Sequence, residues 1–479
     1  MKDYIDDMNI DPEICRRARL ARDPRFDGEF FLAVKTTGIY CRPICPARPP
    51  AEKNVLYFRN AAQAAESGFR ACLRCRPESA PHSPAWRGTS TTVQRALDLI
   101  QAGALNSQAL ESLAERLGVG ERYLRKLFQR ELGVSPIAVA QNQRLLFAKK
   151  LLVETELPMT EIAFAAGFGS VRRFNSAVRE SYGQAPGDLR SRRKSTGNCA
   201  DIKLQLQYRP PYDWEGVIDF FSRHAIDGVE QIDSGTYQRN ILVDGKSGLI
   251  RITPIAGRDA LQLLLRLPSQ VELMPIVARV RHMFDLDANP AVVAEALATD
   301  PVLAQLIDDI PGIRSPIQWS PFEATIRAIV GQQISIQAAR QVCARLVAAT
   351  NDESAISVFP QPGAIARLDD SHFPMPGRRR DTLRELCRLS EQQQGSLSLE
   401  SLAAIKGVGP WTTAMVSMRG FGNPDIFPQG DLGLIKAYQA LSAGSSTDKL
   451  NDTSLKQVPN SWRPWRSYAA NLLWRSLST

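Results

Sequence analysis

The apolar residues of this chain follow helical spacing in two regions and strand spacing in the region between them. In the middle of the chain, apolar stripes at spacings of three and four residues predict successive helices, formed by Leu110, Leu113, Ala114 and Leu117 and by Leu124, Leu127 and Phe128. From 200 to about 285, strands interleaved with helices are predicted by the alternation in IKLQLQY (202–208) and the apolar runs LIRITPI (249–255) and LQLLLRL (261–267). From about 290 onward the helical spacing returns.

Three seams divide this pattern into parts. Two of them are rich in Pro, Ser, Thr, Gly or charge and predict linkers: PESAPHSPAWRGTSTT (77–92) and SRRKSTGNCA (191–200). The third is a change in composition near DLDANP (285–290). A chain of 479 residues has room for roughly two to four domains. We therefore predict a multidomain protein with parts at 1–82, 88–195, 200–288 and 289–479.

Charge sets the second of these parts apart. The formal net charge of the chain is +9, and residues 86–195 alone carry +7. Such a segment favours nucleic acid as a partner, although a basic patch is also an ordinary solvated surface. The chain has no run of about 18 apolar residues, and its first residues, MKDYIDDMNI, are too acidic and polar for a secretory signal. The sequence therefore predicts a cytoplasmic protein with no membrane partner.

Four of the eight cysteines lie close together near the N-terminus. Cys41 and Cys45 form C-x3-C, and Cys72 and Cys75 form C-x2-C. Two short-spaced pairs that converge are typical of a structural Zn²⁺ site with tetrahedral thiolate ligands. Two disulfides are the alternative, which a reducing cytoplasmic compartment disfavours.

The stretch DPRFDGEFFLAVKTTGIYCRPICPARPPAEKNVLYFRNAAQAAESGFRACLRCRP (23–77) resembles the N-terminal domain of Ada-type DNA repair proteins, which implies a small α+β zinc domain. By this resemblance Cys41 is both a zinc ligand and the acceptor of a methyl group from a methylated backbone phosphate. The transfer is irreversible, and the loss of one thiolate charge is expected to tighten the hold on DNA. The alternative is a zinc domain that only binds DNA.

The basic segment contains two helix-turn-helix candidates, at 109–131 and 159–181, each with a glycine before its second helix. A connecting helix over about 136–153 is predicted to hold the two apart. The exposed faces of the second helices carry Arg122, Arg125 and Lys126, and Arg172, Arg173 and Asn175. The run FGSVRRFNSAVRESYGQAPGDLR resembles the signature of AraC-type transcription regulators, which implies an all-α domain that binds promoter DNA. A plain helical bundle with a charged surface is the alternative.

The C-terminal half contains LAAIKGVGPWTTAMV (402–416), in which Gly407 and Gly409 fit a helix-hairpin-helix that brings backbone N–H groups to a DNA phosphate. Asp431 follows in PDIFPQGDLGLIKAY. With FEATIRAIVGQQISIQAA and LQYRPPYDWEGVIDFFSRHAIDGVEQI, these motifs resemble AlkA-type alkylated-base DNA glycosylases over about 270 residues. The resemblance implies an α+β subdomain with a TBP-like antiparallel sheet, an all-α helix-hairpin-helix domain, and Asp431 as the catalytic carboxylate. The alternative for Asp431 is a surface aspartate that caps a helix.

The same resemblance implies a set of base-pocket residues. Trp411 and Trp474 match aromatic positions of the family, whereas Met415 and Leu432 stand where the family pattern has tyrosines. Gln333 stands where a leucine fills the gap left by the flipped base, and Ile334 is a second candidate for that role. Trp411 also occupies the position at which bifunctional relatives have a lysine, so the sequence predicts hydrolysis without strand cleavage.

Taken together, the resemblances imply a fusion that repairs alkylated double-stranded DNA and regulates transcription at promoters. We expect a monomer, with RNA polymerase as a further candidate partner. The protein is expected to be a monofunctional DNA-3-methyladenine glycosylase and a suicidal phosphotriester methyltransferase. The Pro-Cys-His-Arg nucleophile of the second Ada-type activity, reversal of O6-methylguanine, is not found in the sequence. A protein of another class is the alternative: a transcription activator whose glycosylase-like half is a catalytically weak DNA-binding scaffold.

Overall fold

The computed structural model describes residues 11–72, 74, 75, 77, 91–190, 201–268, 271–351, 357–393, 395, 397–442 and 460–477. Most of the first predicted linker and all of the second lie outside the described residues. The chain forms two compact units, the first of 1–210, 255–281 and 286–289, and the second of 211–254, 282–285 and 290–479. The boundary between the two units lies within the region that the sequence predicts as one part, 200–288. The division into four parts therefore stays a prediction.

The first unit begins with a small α+β arrangement, as the sequence predicts. Its elements are α1 (Pro12–Ala21), β1 (Phe31–Val34), β2 (Ile39–Cys41), β3 (Val55–Phe58), α2 (Ala61–Glu66) and β4 (Arg70–Ala71). The strand order is β3-β1-β2-β4, with β1 antiparallel to β2 and β3, and with β2 parallel to β4. Asp11 caps α1 by accepting from the amide of Glu13 at 2.8 Å. This sheet brings the ends of β2 and β4, and so both cysteine pairs, to one place.

The all-α part of the first unit follows the predicted apolar stripes. Its helices are α3 (Thr91–Gln101), α4 (Ala104–Ser107), α5 (Leu110–Arg116), α6 (Glu121–Leu132), α7 (Pro136–Glu154), α8 (Met159–Ala165), α9 (Val171–Tyr182) and α10 (Pro186–Leu189). Leu113, Leu124 and Phe128 are fully buried in one core. The connecting helix α7 ends one residue beyond its predicted end, and its start is set by Pro136 and by Ser135, whose hydroxyl accepts from the amide of Ala138.

The strands of the next region are antiparallel wherever their pairing is described, as predicted. The elements here are β5 (Ile202–Gln207), α11 (Trp214–His224), β6 (Glu230–Asp233), β7 (Thr236–Val243), β8 (Lys246–Pro254), β9 (Ala260–Arg266) and α12 (Leu273–Met283). In the first unit β5 pairs with β9, and in the second unit β7 pairs with β6 and β8. The apolar patterns found β5, β8 and β9 but not β6 and β7. Arg239 of β7 is buried where a strand pattern expects an apolar residue, because it pairs with Glu230 and Glu323.

The rest of the second unit is helical, as the returning periodicity predicts. Its helices are α13 (Pro290–Leu297), α14 (Pro301–Asp309), α15 (Pro321–Val330), α16 (Ile336–Thr350), α17 (Pro362–Ala366), α18 (Gly377–Gln392), α19 (Leu399–Ala403), α20 (Pro410–Arg419), α21 (Leu432–Ser442) and α22 (Arg466–Ser476). Ile329, Leu383 and Leu402 belong to one buried core that joins α15, α18 and α19. Across the described part of the chain, every helix is too short or too polar to span a bilayer.

Candidate functional sites

The two cysteine pairs meet in the first unit. Cys41 ends β2, Cys45 follows a turn, and Cys72 and Cys75 follow β4. Their four Sγ atoms lie within 4.8 Å of one another, and all four are free thiols. Tetrahedral Zn²⁺ with Zn–S bonds of about 2.3 Å requires S···S separations of about 3.8 Å. The cluster therefore fits Zn²⁺, and the disulfide alternative is not what the structure shows.

The protonation of the cluster also calls for a cation. The Cys41 thiol donates to Cys45 and lowers the pKa of Cys45 to about 7. The pKa of Cys75 is raised far above its usual range, first by its hydrogen bond with Cys41 and then by the other two thiols. Thiolates this close repel one another, so all four ionise together only around a positive ion.

Backbone amides distinguish the four sulfur atoms. The amide of Arg42 donates to Sγ of Cys75 at 3.3 Å, and that of Arg74 donates to Sγ of Cys72 at 3.4 Å. The amide of Ala47 interacts with Cys45 in the same way. Among the described residues, no amide donates to Sγ of Cys41. Hydrogen bonds of this kind withdraw electron density from a thiolate, so these amides lower the nucleophilicity of Cys45, Cys72 and Cys75.

The cluster is tied to the helical part of the same unit. Arg42 is buried, pairs with Asp27 and donates to the carbonyl of Cys75 at 3.1 Å. From α7, the buried ammonium of Lys149 donates to the carbonyl of Cys72 at 2.9 Å. The connecting helix between the two helix-turn-helix motifs therefore contacts a cysteine of the cluster directly.

The two helix-turn-helix motifs have the predicted form. Gly118 and Gly167 adopt φ of +69° and +78° in the turns before α6 and α9, a conformation that favours glycine. The predicted DNA-contacting side chains all lie on the surfaces of α6 and α9, with Asn175 half-exposed and the others exposed: Arg122, Arg125, Lys126, Arg172, Arg173 and Asn175. Arg125 pairs with Glu121 at 2.6 Å.

The second unit contains a cavity of about 490 Å³, a size typical of small-ligand pockets. Residues from α11, α15, α16, α20 and α22 line it. Five of the predicted site residues are among the residues that line it: Ile334, Trp411, Met415, Asp431 and Trp474. The helix-hairpin-helix, formed by α19, α20 and the turn between them, thus carries one wall of the cavity.

Asp431 is held by three donors. The indole Nε1 of Trp474 donates to Oδ1 at 3.1 Å, and that of Trp411 donates to Oδ2 at 3.3 Å. The amide of Leu434 donates to Oδ1 at 3.1 Å, as expected of a residue that caps α21. Asp431 therefore caps α21 and also faces the cavity. The two tryptophans predicted to stack on a base also orient the carboxylate.

Two glycines fix the backbone around this site. A Cβ on Gly433 would lie 3.1 Å from Oδ1 of Asp431 and 3.4 Å from the indole of Trp474. Gly407 adopts φ of +97°, and a Cβ there would lie 2.3 Å from Oγ1 of Thr382. Gly409 is exposed and has open space around it. The hairpin therefore presents its backbone to solvent, as binding to a phosphate requires.

The predicted gap-filling loop joins α15 to α16. Gln333 is exposed and has φ of +59°, an uncommon value for a residue with a side chain. Its neighbour Gln332 donates to the carbonyl of Gly407 at 3.0 Å and to Oγ1 of Thr412 at 2.9 Å. Ile334 is exposed and lines the cavity. The loop is thereby tied to the hairpin, with Gln333 exposed to solvent and Ile334 at the cavity.

Leu432 requires a correction. The sequence places it in the base pocket, whereas the structure leaves it 72% exposed and outside the cavity lining. Asp431 and Gly433 face the cavity on either side of it. Leu432 is the first residue of α21, and its side chain lies on the solvent-exposed face of this helix.

Most of the cavity lining was not found from the sequence. Phe220 of α11, Arg419 of α20 and Asn471 of α22 all line the cavity. Arg419 had a recognisable signal, since it is a lone charge at the end of the apolar run AMVSM. The other two carry no local signal.

Comparisons with known proteins give the family of the chain. The family described as the metal binding domain of Ada matches residues 14–78, a helix-turn-helix domain matches 113–192, and the AlkA N-terminal domain matches 203–320. The DNA-3-methyladenine glycosylase 2 of Escherichia coli is 26% identical over 56% of this chain and 95% of that protein. The Escherichia coli bifunctional transcriptional activator/DNA repair enzyme Ada is 36% identical over 36% of this chain and 47% of that protein.

The fold and the sites define a fusion of an Ada-type zinc domain, a helix-turn-helix domain and an AlkA-type glycosylase fold. One relative aligns with almost the whole chain. The probable bifunctional transcriptional activator/DNA repair enzyme AlkA of Mycobacterium tuberculosis is 38% identical over 98% of this chain and 97% of that protein. The chain belongs to this family of bifunctional transcriptional activator/DNA repair enzymes.

Proposed function

We propose that this chain releases alkylated bases from double-stranded DNA, accepts methyl groups from methylated DNA phosphates, and regulates transcription in response. The observation that carries the proposal is the setting of Asp431, whose carboxylate faces a base-sized cavity and accepts from two indoles. Asp431 and the cysteine cluster lie in different units of the chain, so the two repair reactions are separable by mutation. Action in the cytoplasm, the monomeric state and a contact with RNA polymerase stay predictions.

Asp431 is proposed to stabilise the sugar during base release. An N3- or N7-alkylated purine carries a positive charge, and as the C1′–N bond breaks its electron pair leaves with the base, which departs neutral. Positive charge then develops on the sugar, and the carboxylate that faces it from the cavity wall stabilises it. A water oxygen bonds to C1′ and its proton passes to Asp431 or to solvent. The indole donors of Trp411 and Trp474 hold the carboxylate in its orientation toward the cavity.

The proposed glycosylase is monofunctional. Trp411 occupies the position of the Schiff-base lysine, and no lysine is among the described residues that line the cavity. We expect duplex DNA treated with a methylating agent to lose alkylated bases, while its strands break only after alkali. Borohydride is expected to trap no covalent protein–DNA adduct. Base release that is absent, or accompanied by a trapped adduct, would contradict this assignment.

Cys41 is proposed to accept the methyl group. When bound by Cys41, Cys45, Cys72 and Cys75, Zn²⁺ supplies the positive charge that keeps all four thiolates deprotonated at neutral pH. Sγ of Cys41 attacks the methyl carbon, forming an S–C bond, and the electron pair of the broken C–O bond stays on the phosphate oxygen. The product is a thioether and a phosphodiester anion, so the transfer is not reversible under these conditions.

Regulation is proposed to follow from charge. Methylation lowers the negative charge of the zinc-bound cluster from about −2 to about −1, which reduces its repulsion from DNA. Lys149 of α7 contacts the carbonyl of Cys72, and α7 connects the two helix-turn-helix motifs, whose helices α6 and α9 carry the basic side chains. The second candidate is a transcription activator with a catalytically weak glycosylase scaffold. The position of Asp431 at the cavity, held by two indole donors, does not favour it.

Removal of Zn²⁺ is expected to separate the two repair reactions. A strong chelator should abolish methyl transfer and lower the stability of the first unit, since four thiolates without a cation repel one another. Base release should change by less than about threefold, because none of the described residues around the cavity offers a thiolate pair. Zinc content, transferred methyl groups and released bases can be measured on the same sample. Loss of base release together with the metal would contradict this expectation.

A further inference from the structure

Arg209 is a fully buried arginine just beyond β5 in the first unit. Its guanidinium donates to the backbone carbonyl of Asp27 at 2.8 Å and to that of Asp287 at 2.7 Å, and it pairs with the carboxylate of Glu29 at 3.4 Å. Asp27 and Glu29 lie in the region that matches the metal binding domain of Ada. Arg209 and Asp287 lie in the region that matches the AlkA N-terminal domain. The buried guanidinium therefore joins two regions that are distant in sequence.

Asn289 holds the same segment, residues 25–29, from a second position. Its side-chain amide donates to the carboxylate of Glu29 at 3.1 Å and to the carbonyl of Arg25 at 3.4 Å. Asn289 and Glu29 are both buried. Because a buried charge is costly unless it is paired and hydrogen-bonded, these contacts strongly favour one arrangement of the segment. Groups from the region 203–289 therefore fix the backbone at 25–29.

The segment 25–29 is connected to the cysteine cluster through Arg42. Asp27 accepts from the guanidinium of Arg42 with both of its carboxylate oxygens, and both side chains are buried. Arg42 directly follows Cys41 in the chain. Its guanidinium donates to the carbonyl of Cys75 at 3.1 Å, and its amide donates to Sγ of Cys75 at 3.3 Å. A continuous chain of buried contacts thus leads from Arg209 to the cysteines.

Helix α7 makes a second connection between β5 and the cluster. Lys150 donates to the carbonyl of Gln205 in β5 at 2.5 Å, and Glu154 accepts from the amide of Gln205 at 2.9 Å. Lys150 and Glu154 also pair with each other at 3.1 Å. The adjacent Lys149 donates to the carbonyl of Cys72 at 2.9 Å. The strand that leads to Arg209 is therefore tied to a helix that contacts the cluster.

We propose that Arg209 is a positioning residue for the methyl-accepting zinc cluster, which is complete only when the region 203–289 is folded against it. This inference rests on the proposed methyl transfer to Cys41. Residues that hydrogen-bond to metal ligands fix the orientation of those ligands, and their loss typically costs about 10- to 100-fold in metal affinity or activity. Arg209 acts through Asp27, which orients Arg42, and Arg42 in turn holds the cysteines in place.

The test measures zinc release and methyl transfer in the full chain. Zn²⁺-loaded wild type and variants are mixed with a chromophoric chelator at neutral pH, and zinc release is followed over time. We expect Arg209→Gln to release Zn²⁺ at least about tenfold faster than wild type and to accept methyl groups at least about tenfold more slowly. Arg209→Lys keeps the positive charge beside Glu29, so its zinc release should be closer to that of wild type.

The matched control is Arg239→Gln. Arg239 is also buried and paired with carboxylates, but it lies in the second unit. Its replacement should leave zinc release within about threefold of wild type, because the two sites share no partner. Zinc release that is as fast in Arg239→Gln as in Arg209→Gln would indicate a general loss of stability and would overturn the proposal.

A double-mutant cycle tests the route through Arg42. If Arg209 acts through Arg42, the variant that combines Arg209→Gln with Arg42→Gln should release Zn²⁺ within about threefold of the faster single variant. Single effects that multiply would show that the two residues act independently, and would overturn the route. Asn289→Ala is the milder variant if Arg209→Gln does not fold, and it should speed zinc release by at least about threefold. An unchanged rate in Asn289→Ala would then overturn the proposal.

The two reactions separate a failure of this proposal from a failure of the proposed function. If wild type accepts no methyl group from methylated DNA, the methyl-transfer function fails, whereas zinc release still decides whether Arg209 positions the cluster. If wild type accepts methyl groups and Arg209→Gln releases Zn²⁺ at the wild-type rate, only the role of Arg209 fails.

Discussion

Replacing Asp431 with asparagine is expected to lower kcat/KM for base release by at least about 10³-fold, equivalent to about 4 kcal/mol of transition-state stabilisation. The substitution removes the negative charge that faces the developing positive charge of the sugar. It also keeps an oxygen that can accept from the amide of Leu434, so the cap of α21 is retained. The effect should therefore appear in catalysis rather than in folding, with a melting temperature within a few degrees of wild type.

The matched control for this prediction is Asp309→Asn. Asp309 is an exposed aspartate at the end of α14 in the same unit, and its replacement should leave base release unchanged. Released bases are quantified by chromatography under single-turnover conditions. Asp431→Asn that retains more than about a tenth of the wild-type rate would show that this carboxylate is only a helix cap.

Replacing Cys41 with serine is expected to slow methyl transfer to the protein by on the order of 10⁴-fold or more. A serine hydroxyl is a far poorer nucleophile than a thiolate at neutral pH. In the wild type, mass spectrometry of digested protein should place the methyl group on Cys41. Cys45 is the main alternative methyl acceptor, because it is the most exposed of the four cysteines. Its sulfur interacts with the amide of Ala47.

The control for Cys41→Ser is Cys343→Ser. Cys343 is buried in the second unit and is a free thiol, so its loss should leave methyl transfer intact. Methylation found on Cys45 in wild type would contradict the assignment of the acceptor, while leaving the zinc cluster itself in place.

Much of the fold could be predicted from local patterns. The stripes around Leu113 and Leu124 predicted α5 and α6, and the apolar run beginning at Pro136 predicted α7 to within a residue. The helices α5 and α6 bury one face each, and the spacing of apolar residues shows which face. The cysteine cluster was equally readable, since short pair spacings report ligands that converge on one metal.

The missed features depend on contacts that are distant in sequence. β7 was not recognised because Arg239, on its buried face, is neutralised by Glu323, which lies far along the chain. Leu432 was assigned to the pocket by position, but the start of α21 turns it outward. The role of Trp411 and Trp474 as donors to Asp431 likewise follows only from the way in which α20, α21 and α22 meet.

The most direct test of the two-site account measures both reactions at once. Wild type, Cys41→Ser and Asp431→Asn are incubated with the same methylated duplex, and released bases and protein-bound methyl groups are counted in each sample. We predict that Cys41→Ser loses only the methyl transfer and that Asp431→Asn loses only the base release. Loss of both signals in either variant, or of neither signal in both, would contradict the account.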